Sequence, residues 1–157
     1  IHSQVLGWAL SRCNYDQATA EDLVQQAYVE LLSGRAQFRQ QSTLKTFVFG
    51  VVQNLARSRL RRVATRLRLV ETWRPADVAI VEDDAADRSE FDPLWQAVRS
   101  LPARQRDIVE LVFCRELSVE EASMVMGVTV GTGRVHYDRA KKALRRKLEP
   151  EFMNESR

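Results

Sequence analysis

The sequence predicts an all-α protein: two small helical domains joined by a flexible acidic linker, the C-terminal one containing a helix-turn-helix. Three observations carry this. Apolar residues recur at steps of three and four along most of the chain, and no segment shows the alternation of a half-buried strand. The stripes begin at Ser, Thr or Asp and stop at Gly or Pro, which are helix start and stop signals. Charge changes sign in the middle, from a run of arginines to a run of acids and back to a basic stretch. The expected boundaries are residues 1–68, a linker at 69–91 and residues 92–157.

Residues 1–13 read as a helix with Val5, Leu6, Ala9 and Leu10 inward. Thr19-Ala20-Glu21-Asp22 reads as a capping box opening a second helix. Its inward positions are Leu23, Val24, Ala27, Tyr28, Leu31 and Leu32, its polar face holds Glu21, Asp22, Gln25, Gln26 and Glu30, and Gly34 ends it. Phe38 to Thr43 is a polar loop around one aromatic, with Ser42 as the expected cap of a third helix. That helix has the cleanest period, through Leu44, Phe47, Val48, Val51, Val52 and Leu55. It runs on into Arg57, Arg59, Arg61, Arg62, Arg66 and Arg68, six cations with no acid from Ala56 to Val70. Cations near a helix C-terminus suit the macrodipole. Six exceed that need and would attract a polyanion, unless they are simply a solvated, fraying helix end.

From Glu71 to Asp92 the acids are Glu71, Asp77, Glu82, Asp83, Asp84, Asp87, Glu90 and Asp92, against Arg74 and Arg88. No helical stripe runs through this stretch and Pro75 interrupts it, so it reads as a linker. Its charge opposes that of both flanks. It could fold back on them or occupy a basic channel in a partner.

Asp92-Pro93 opens the second domain as an N-cap followed by Pro at the first helical position. Leu94, Trp95 and Val98 are inward. Leu101-Pro102 breaks the chain, and the next helix turns Ile108, Val109, Leu111, Val112 and Cys114 inward with Arg104, Arg106 and Asp107 outside. Ser118 and Glu121 form a capping box, Ala122, Val125 and Met126 an apolar face, and Gly127 a left-handed stop. Thr129 caps a last helix running to about Leu148, with Gly133, Tyr137, Ala140, Leu144 and Leu148 inward at steps of 4, 3, 4 and 4. Its other faces carry Arg134, Arg139, Lys141, Lys142, Arg145, Arg146 and Lys147 with one acid, Asp138. A basic helix presented by a tight turn suits a phosphate-lined major groove. An ordinary helical hairpin with a solvated basic face has the same pattern. Ser123 stands where such units usually place Ala, and Gly133 where they usually place Val or Ile. Gly133 costs the helix about 1 kcal/mol relative to Ala. It either permits close packing or weakens the helix start.

Composition narrows the classes. Apolar content of 45% and charged content of 29% are those of a globular protein, and net charge is +3. No run approaches the ~20 apolar residues of a membrane span, so direct membrane insertion is not expected. No secretory signal is visible, which makes a cytoplasmic location the expectation, and the start at Ile1 implies preceding residues. Cys13 and Cys114 fall in apolar helical segments and read as buried free thiols. His2 and His136 lie far apart, outside any ligand spacing. No phosphate-binding loop, dinucleotide fingerprint or nucleophile elbow occurs. Hence no metal, cofactor or catalytic residue is expected, and the protein does not read as an enzyme.

Three segments in this order resemble the extracytoplasmic-function, or group-four, sigma factors of bacterial RNA polymerase, in the sigma-70 family. Ala20 to Leu32 is similar to the family's regions 2.1–2.2, Ser42 to Arg62 to regions 2.3–2.4, and Leu101 to Leu148 to region 4. The resemblance implies a subunit that binds core polymerase, through its β′ and β subunits, and directs it to promoter DNA. Asp22, Gln25, Gln26 and Glu30 would then meet the polymerase β′ coiled coil. Phe38, Arg39, Ser42, Thr43, Lys45 and Asn54 would take the −10 element and hold an extruded base, with Arg57, Arg59, Arg61 and Arg62 on phosphates. An unstacked base needs a stacking surface and hydrogen bonds to its edge, which aromatic and amide groups supply. Phe47, where the family often has Trp, lies on the apolar stripe and reads as core.

Thr132, Arg134, Val135, Asp138 and Arg139 would read the −35 element, and Lys141, Lys142, Arg145 and Arg146 would add non-specific affinity. Asp138 either accepts from a cytosine amine or pairs with Arg134 or Lys142 along its own helix. His136 stands where Arg is common in the family. The resemblance also implies an anti-sigma factor, often membrane-anchored in such systems, and a linker threading toward basic channels of the polymerase. A second reading is a two-domain helix-turn-helix regulator that binds duplex DNA without polymerase. It leaves Asn54, the loop at Phe38 and the acidic linker without a task.

Overall fold

The computed structural model describes residues 1–69 and 92–155, with side chains described as far as Pro150. The chain divides into two compact units, Ile1–Ala85 and Ala86–Arg157. All regular structure among the described residues is helical. The predicted acidic linker lies outside the described residues, apart from its ends Leu69 and Asp92.

In the first unit α1 (His2–Arg12), α2 (Gln17–Leu32) and α3 (Leu44–Leu69) pack pairwise against one another. The core is Val5, Trp8 and Ala9 from α1, Ala20, Leu23, Val24 and Ala27 from α2, and Val48, Phe49, Val52 and Ala56 from α3. Its centre is an aromatic pair absent from the predicted stripes. The Trp8 and Phe49 rings stack at 6.2 Å, and the buried Trp8 Nε1–H donates to the Phe49 carbonyl at 3.3 Å. Phe47, expected in the core, is only half-buried. The two stripes differ by a fraction of a turn, and packing against α1 selects the one through Phe49, Val52 and Ala56.

Two caps fall earlier or later than expected. The Asp16 carboxylate accepts from the Thr19 N–H at 2.7 Å, so α2 begins at Gln17 rather than at Thr19. Thr43, not Ser42, caps α3: its hydroxyl accepts from the Thr46 N–H at 3.2 Å, while Ser42 Oγ donates to the Thr43 carbonyl. Leu32, expected inward, is 90% exposed at the last turn of α2, where neither neighbour reaches it. Leu44, at the first turn of α3, is likewise exposed. Gly34 lies just past α2 at φ 75°, as its stop role requires.

In the second unit α4 is Pro93–Arg99, α5 Ala103–Val109, α6 Val119–Met126 and α7 Val130–Glu155. A π-helical turn, Glu110–Cys114, extends α5. Its wider ring is closed by the Arg115 N–H donating to the Glu110 carbonyl at 3.1 Å. The extra residue rotates the stripe, so Cys114, expected inward after Leu111, is exposed, as is its neighbour Phe113. Cys13 is half-buried, and burial pushes its thiol pKa up. Asp107, expected outside, is buried, because α5 packs against α4, α6 and α7 and little of its circumference meets water. Leu94, expected inward, is exposed. Asp92 caps α4, accepting from the Leu94 N–H at 2.9 Å with Pro93 at the first helical position. α7 passes the expected end at Leu148 and continues through Pro150 to Glu155.

Candidate nucleic-acid interface

In the second unit the interface is built on the turn between α6 and α7. Ser118 and Glu121 close the capping box reciprocally, with bonds of 3.1 and 2.9 Å. Gly127 stops α6 at φ 67°, and Thr129 caps α7 by accepting from the Thr132 N–H at 3.2 Å. The two helices meet where Ser123 faces Gly133. A Cβ at Gly133 would run into Ser123 Oγ and lie 2.9 Å from Ser123 Cβ. Ser123 Oγ donates to the Val119 carbonyl at 2.6 Å, which holds it on that side. The two departures from the usual pattern are therefore one feature: close packing, not a weakened helix start.

With that face buried, Thr132, Arg134, Val135, Asp138, Arg139 and Lys142 all remain on the exposed sides of α7. Val135, 45% exposed, is an apolar contact offered to water. Arg134 pairs across the turn with Glu120 of α6 at 2.8 Å. That hydrogen bond holds the Glu120 carboxyl below the usual glutamate range. Asp138 lies 3.6 Å from Lys141, not against Arg134 or Lys142. The Thr132 hydroxyl accepts from Thr129 Oγ1 at 2.9 Å, so it is partly engaged in the cap.

In the first unit the candidate residues line the loop before α3 and one side of that helix. Phe38 rests on Phe47, ring centroids 5.3 Å apart. Asn54 is exposed, two turns beyond Phe47, and Arg57 and Arg61 follow it at steps of three and four. The result is an aromatic surface, an amide and cations along one side of a helix. Phe47 is the member sequence reasoning missed. The signal was its recurrence with Asn54 at seven residues, which the apolar stripe hid.

Other predicted members sit differently. Arg39 is exposed in the loop. Lys45 is half-buried with its ammonium 5.9 Å from the Phe49 ring centroid. Arg59 is set apart from the others: its charge acts on Asp16 and Cys13 at the turn between α1 and α2. Arg62 is exposed. On α2, Asp22, Gln25 and Gln26 are exposed together, and Glu30 is held by Arg35 at 3.1 Å. Val29, 51% exposed, lies among them.

Comparison with known proteins decides between the two readings of this architecture. The family model for Sigma-70 region 2 matches residues 1–66, and that for Sigma-70 region 4 matches residues 91–144. The ECF RNA polymerase sigma factor EcfG of Rhodopseudomonas palustris is 30% identical over 127 residues, covering 80% of this chain and 68% of that protein. The chain belongs to the extracytoplasmic-function sigma factors of the sigma-70 family.

Further sigma factors match most of the chain. SigC of Mycobacterium tuberculosis is 25% identical over 136 residues, covering 87% of this chain and 74% of that protein. SigW of Bacillus subtilis is 24% identical over 140 residues, covering 82% and 75%. The fold matches the sigma factor RpoE solved with the anti-sigma factor NepR from Bartonella quintana, at a TM-score of 0.68 and 24% identity, over 92% of this chain and 89% of that one. As a sigma factor the protein directs core RNA polymerase to promoters, and the family is one of transcription initiation factors. The stand-alone regulator has no support among these relatives. No helix among the described residues of this sigma factor is long and apolar enough to cross a membrane.

Proposed function

We propose a division of labour within this sigma factor: residues 1–68 bind core polymerase and the −10 element, residues 69–91 are a linker, and residues 92–157 read the −35 element. One observation carries the proposal. A doubly capped helix-turn-helix offers Thr132, Arg134, Val135, Asp138 and Arg139 on the exposed sides of α7. Arg134, held by Glu120, reads guanine with its fork, and Val135 meets a thymine methyl. Asp138 faces cytosine, and Lys142 adds phosphate affinity.

In the first unit Asp22, Gln25, Gln26 and Glu30 form the polar face offered to the β′ subunit. Phe38, seated on Phe47, stacks an extruded base of the −10 strand, while Ser42, Thr43 and Asn54 hydrogen-bond to base edges. Arg39, Lys45, Arg57, Arg59, Arg61 and Arg62 neutralise phosphates. An anti-sigma factor holds the protein inactive. The exposed apolar residues Val29 and Leu32 beside the polymerase-binding face of α2 support such a second occupant. The location is cytoplasmic, with the polymerase.

Run-off transcription with core polymerase and a promoter library tests the whole reading. Transcripts that start behind a shared two-part motif only when the protein is present are the expected result. Tight sequence-specific binding to duplex DNA by the free chain, without stimulated transcription, would overturn it.

A further inference from the structure

We infer that Glu120 of α6 is a specificity-determining residue for the −35 element, a positioning residue that keeps Arg134 on a base edge and off the phosphate backbone. The inference rests on the −35 reading and deepens it, because the first helix of the helix-turn-helix then shares in reading the sequence.

Arg134 has a choice of acids. Asp138 lies four residues on along α7, a spacing at which an acid and an arginine of one helix meet. The Asp138 carboxylate instead lies 3.6 Å from Lys141 Nζ. Arg134 Nη2 donates to Glu120 Oε1 at 2.8 Å, across the turn between the helices. The alternatives send the guanidinium to different places. A pair with Asp138 would lay it along α7 toward the C-terminus, whereas the pair with Glu120 draws it toward the first turn of α6. Glu120 is itself held in the charged form. The Arg134 hydrogen bond, with its own backbone N–H and the Ser118 hydroxyl behind it, keeps its carboxyl below the usual glutamate range.

Stability does not account for the pair. Its side chains are 63% and 52% exposed, and exposed ion pairs contribute little to folding. What the pair supplies is direction to a long side chain that would otherwise rotate freely. That matters in a major groove, because an arginine there has competing targets. Phosphates attract a guanidinium whatever the sequence, and a contact to them carries no sequence information. A fixed carboxylate beside the guanidinium repels phosphate from that spot and aims the fork. A single bond at one η nitrogen leaves other N–H groups for O6 and N7 of guanine. Discrimination then comes from disfavouring the wrong contact as well as from making the right one.

The test uses holoenzyme assembled from core polymerase and the full chain, with duplexes selected from a pool randomised across the −35 element. Glu120→Gln keeps the size of the side chain and leaves the Ser118–Glu121 capping box in place. It is expected to flatten the preference at one base pair by about five- to tenfold, while binding to unselected duplex does not weaken. Arg134→Ala is expected to lose preference at that same base pair. Adding Glu120→Gln to Arg134→Ala should change the preference no further, because Glu120 acts through Arg134. A residue that only supported the fold would weaken all duplexes together and would show no such dependence on Arg134. Wild-type preference in Glu120→Gln, a loss at a different base pair from that of Arg134→Ala, or a uniform loss on every duplex would overturn the inference. So would further flattening in the double variant. Where the wild-type holoenzyme selects a shared motif, these outcomes strike the role of Glu120 alone. If it selects none, the promoter reading falls, and the role of Glu120 with it.

Discussion

Phe47 and Phe49 stand two residues apart on one helix and do different work. Phe49 is fully buried against Trp8, whereas Phe47 is half-buried beneath the loop residue Phe38. Truncating a buried Phe costs about 3–5 kcal/mol, transfer and cavity terms together. Phe49→Ala is therefore expected to unfold much of the first unit in a denaturant titration. Phe47→Ala should cost less than half as much and instead slow promoter opening, read by permanganate footprinting. Equal stability losses would return Phe47 to the core. Gly133 offers a second test of this kind. Alanine there gains about 1 kcal/mol of helix propensity but must displace Ser123, and overpacking costs about 1–3 kcal/mol. Gly133→Ala should lower stability, and Ser123→Gly in the same chain should recover part of the loss. Additive effects in that double-mutant cycle would show that the two residues do not meet.

Caps and turns fix the ends of elements, and one of them links α6 to α7. The Glu120–Arg134 pair joins the two helices across their turn, and its hydrogen bond lowers the Glu120 pKa. A carboxylate with a depressed folded pKa binds its proton more weakly folded than unfolded. Its contribution is present above the unfolded value and is lost as pH falls through the folded value. Glu120→Gln is expected to flatten the acid limb of the stability profile of the second unit slightly and to lower neutral-pH stability by the same small amount, because the pair is exposed. A pH-titrated melting series checks this, and an unaltered acid limb would refute the linkage. The π turn at Glu110–Cys114 is the element that no periodicity announced. It inserts one residue, breaks the stripe after Leu111 and leaves Cys114 exposed, beside Phe113, whose ring lies 6.1 Å from that of Tyr137. A pattern counted at 3.6 residues per turn places Cys114 inside for that reason alone.

For the whole molecule, the proposed function assigns polymerase binding and strand opening to different residues, which is testable. Asn54 is exposed on α3, whereas the residues proposed to meet polymerase, Asp22, Gln25 and Gln26, are exposed on α2. Losing one base-edge hydrogen bond costs about 1–2 kcal/mol, roughly a five- to thirtyfold change. Asn54→Ala is expected to cut open-complex formation by about that factor while leaving affinity for core polymerase intact. A matching loss of polymerase affinity would assign Asn54 to structure instead. The sequence alone determined the all-α class, the helix-turn-helix with its Ser118–Glu121 box and Gly127 stop, and the family. All of these are written in local spacing and end signals, which hydrogen-bonding geometry reads within a few residues. Tertiary structure decided which of two adjacent stripes on α3 is core, why Ser123 accompanies Gly133, and which cations of α7 are answered by acids. Those outcomes depend on what packs from another element. Neighbouring stripes are nearly degenerate in period, and only contact with α1 or α6 separates them.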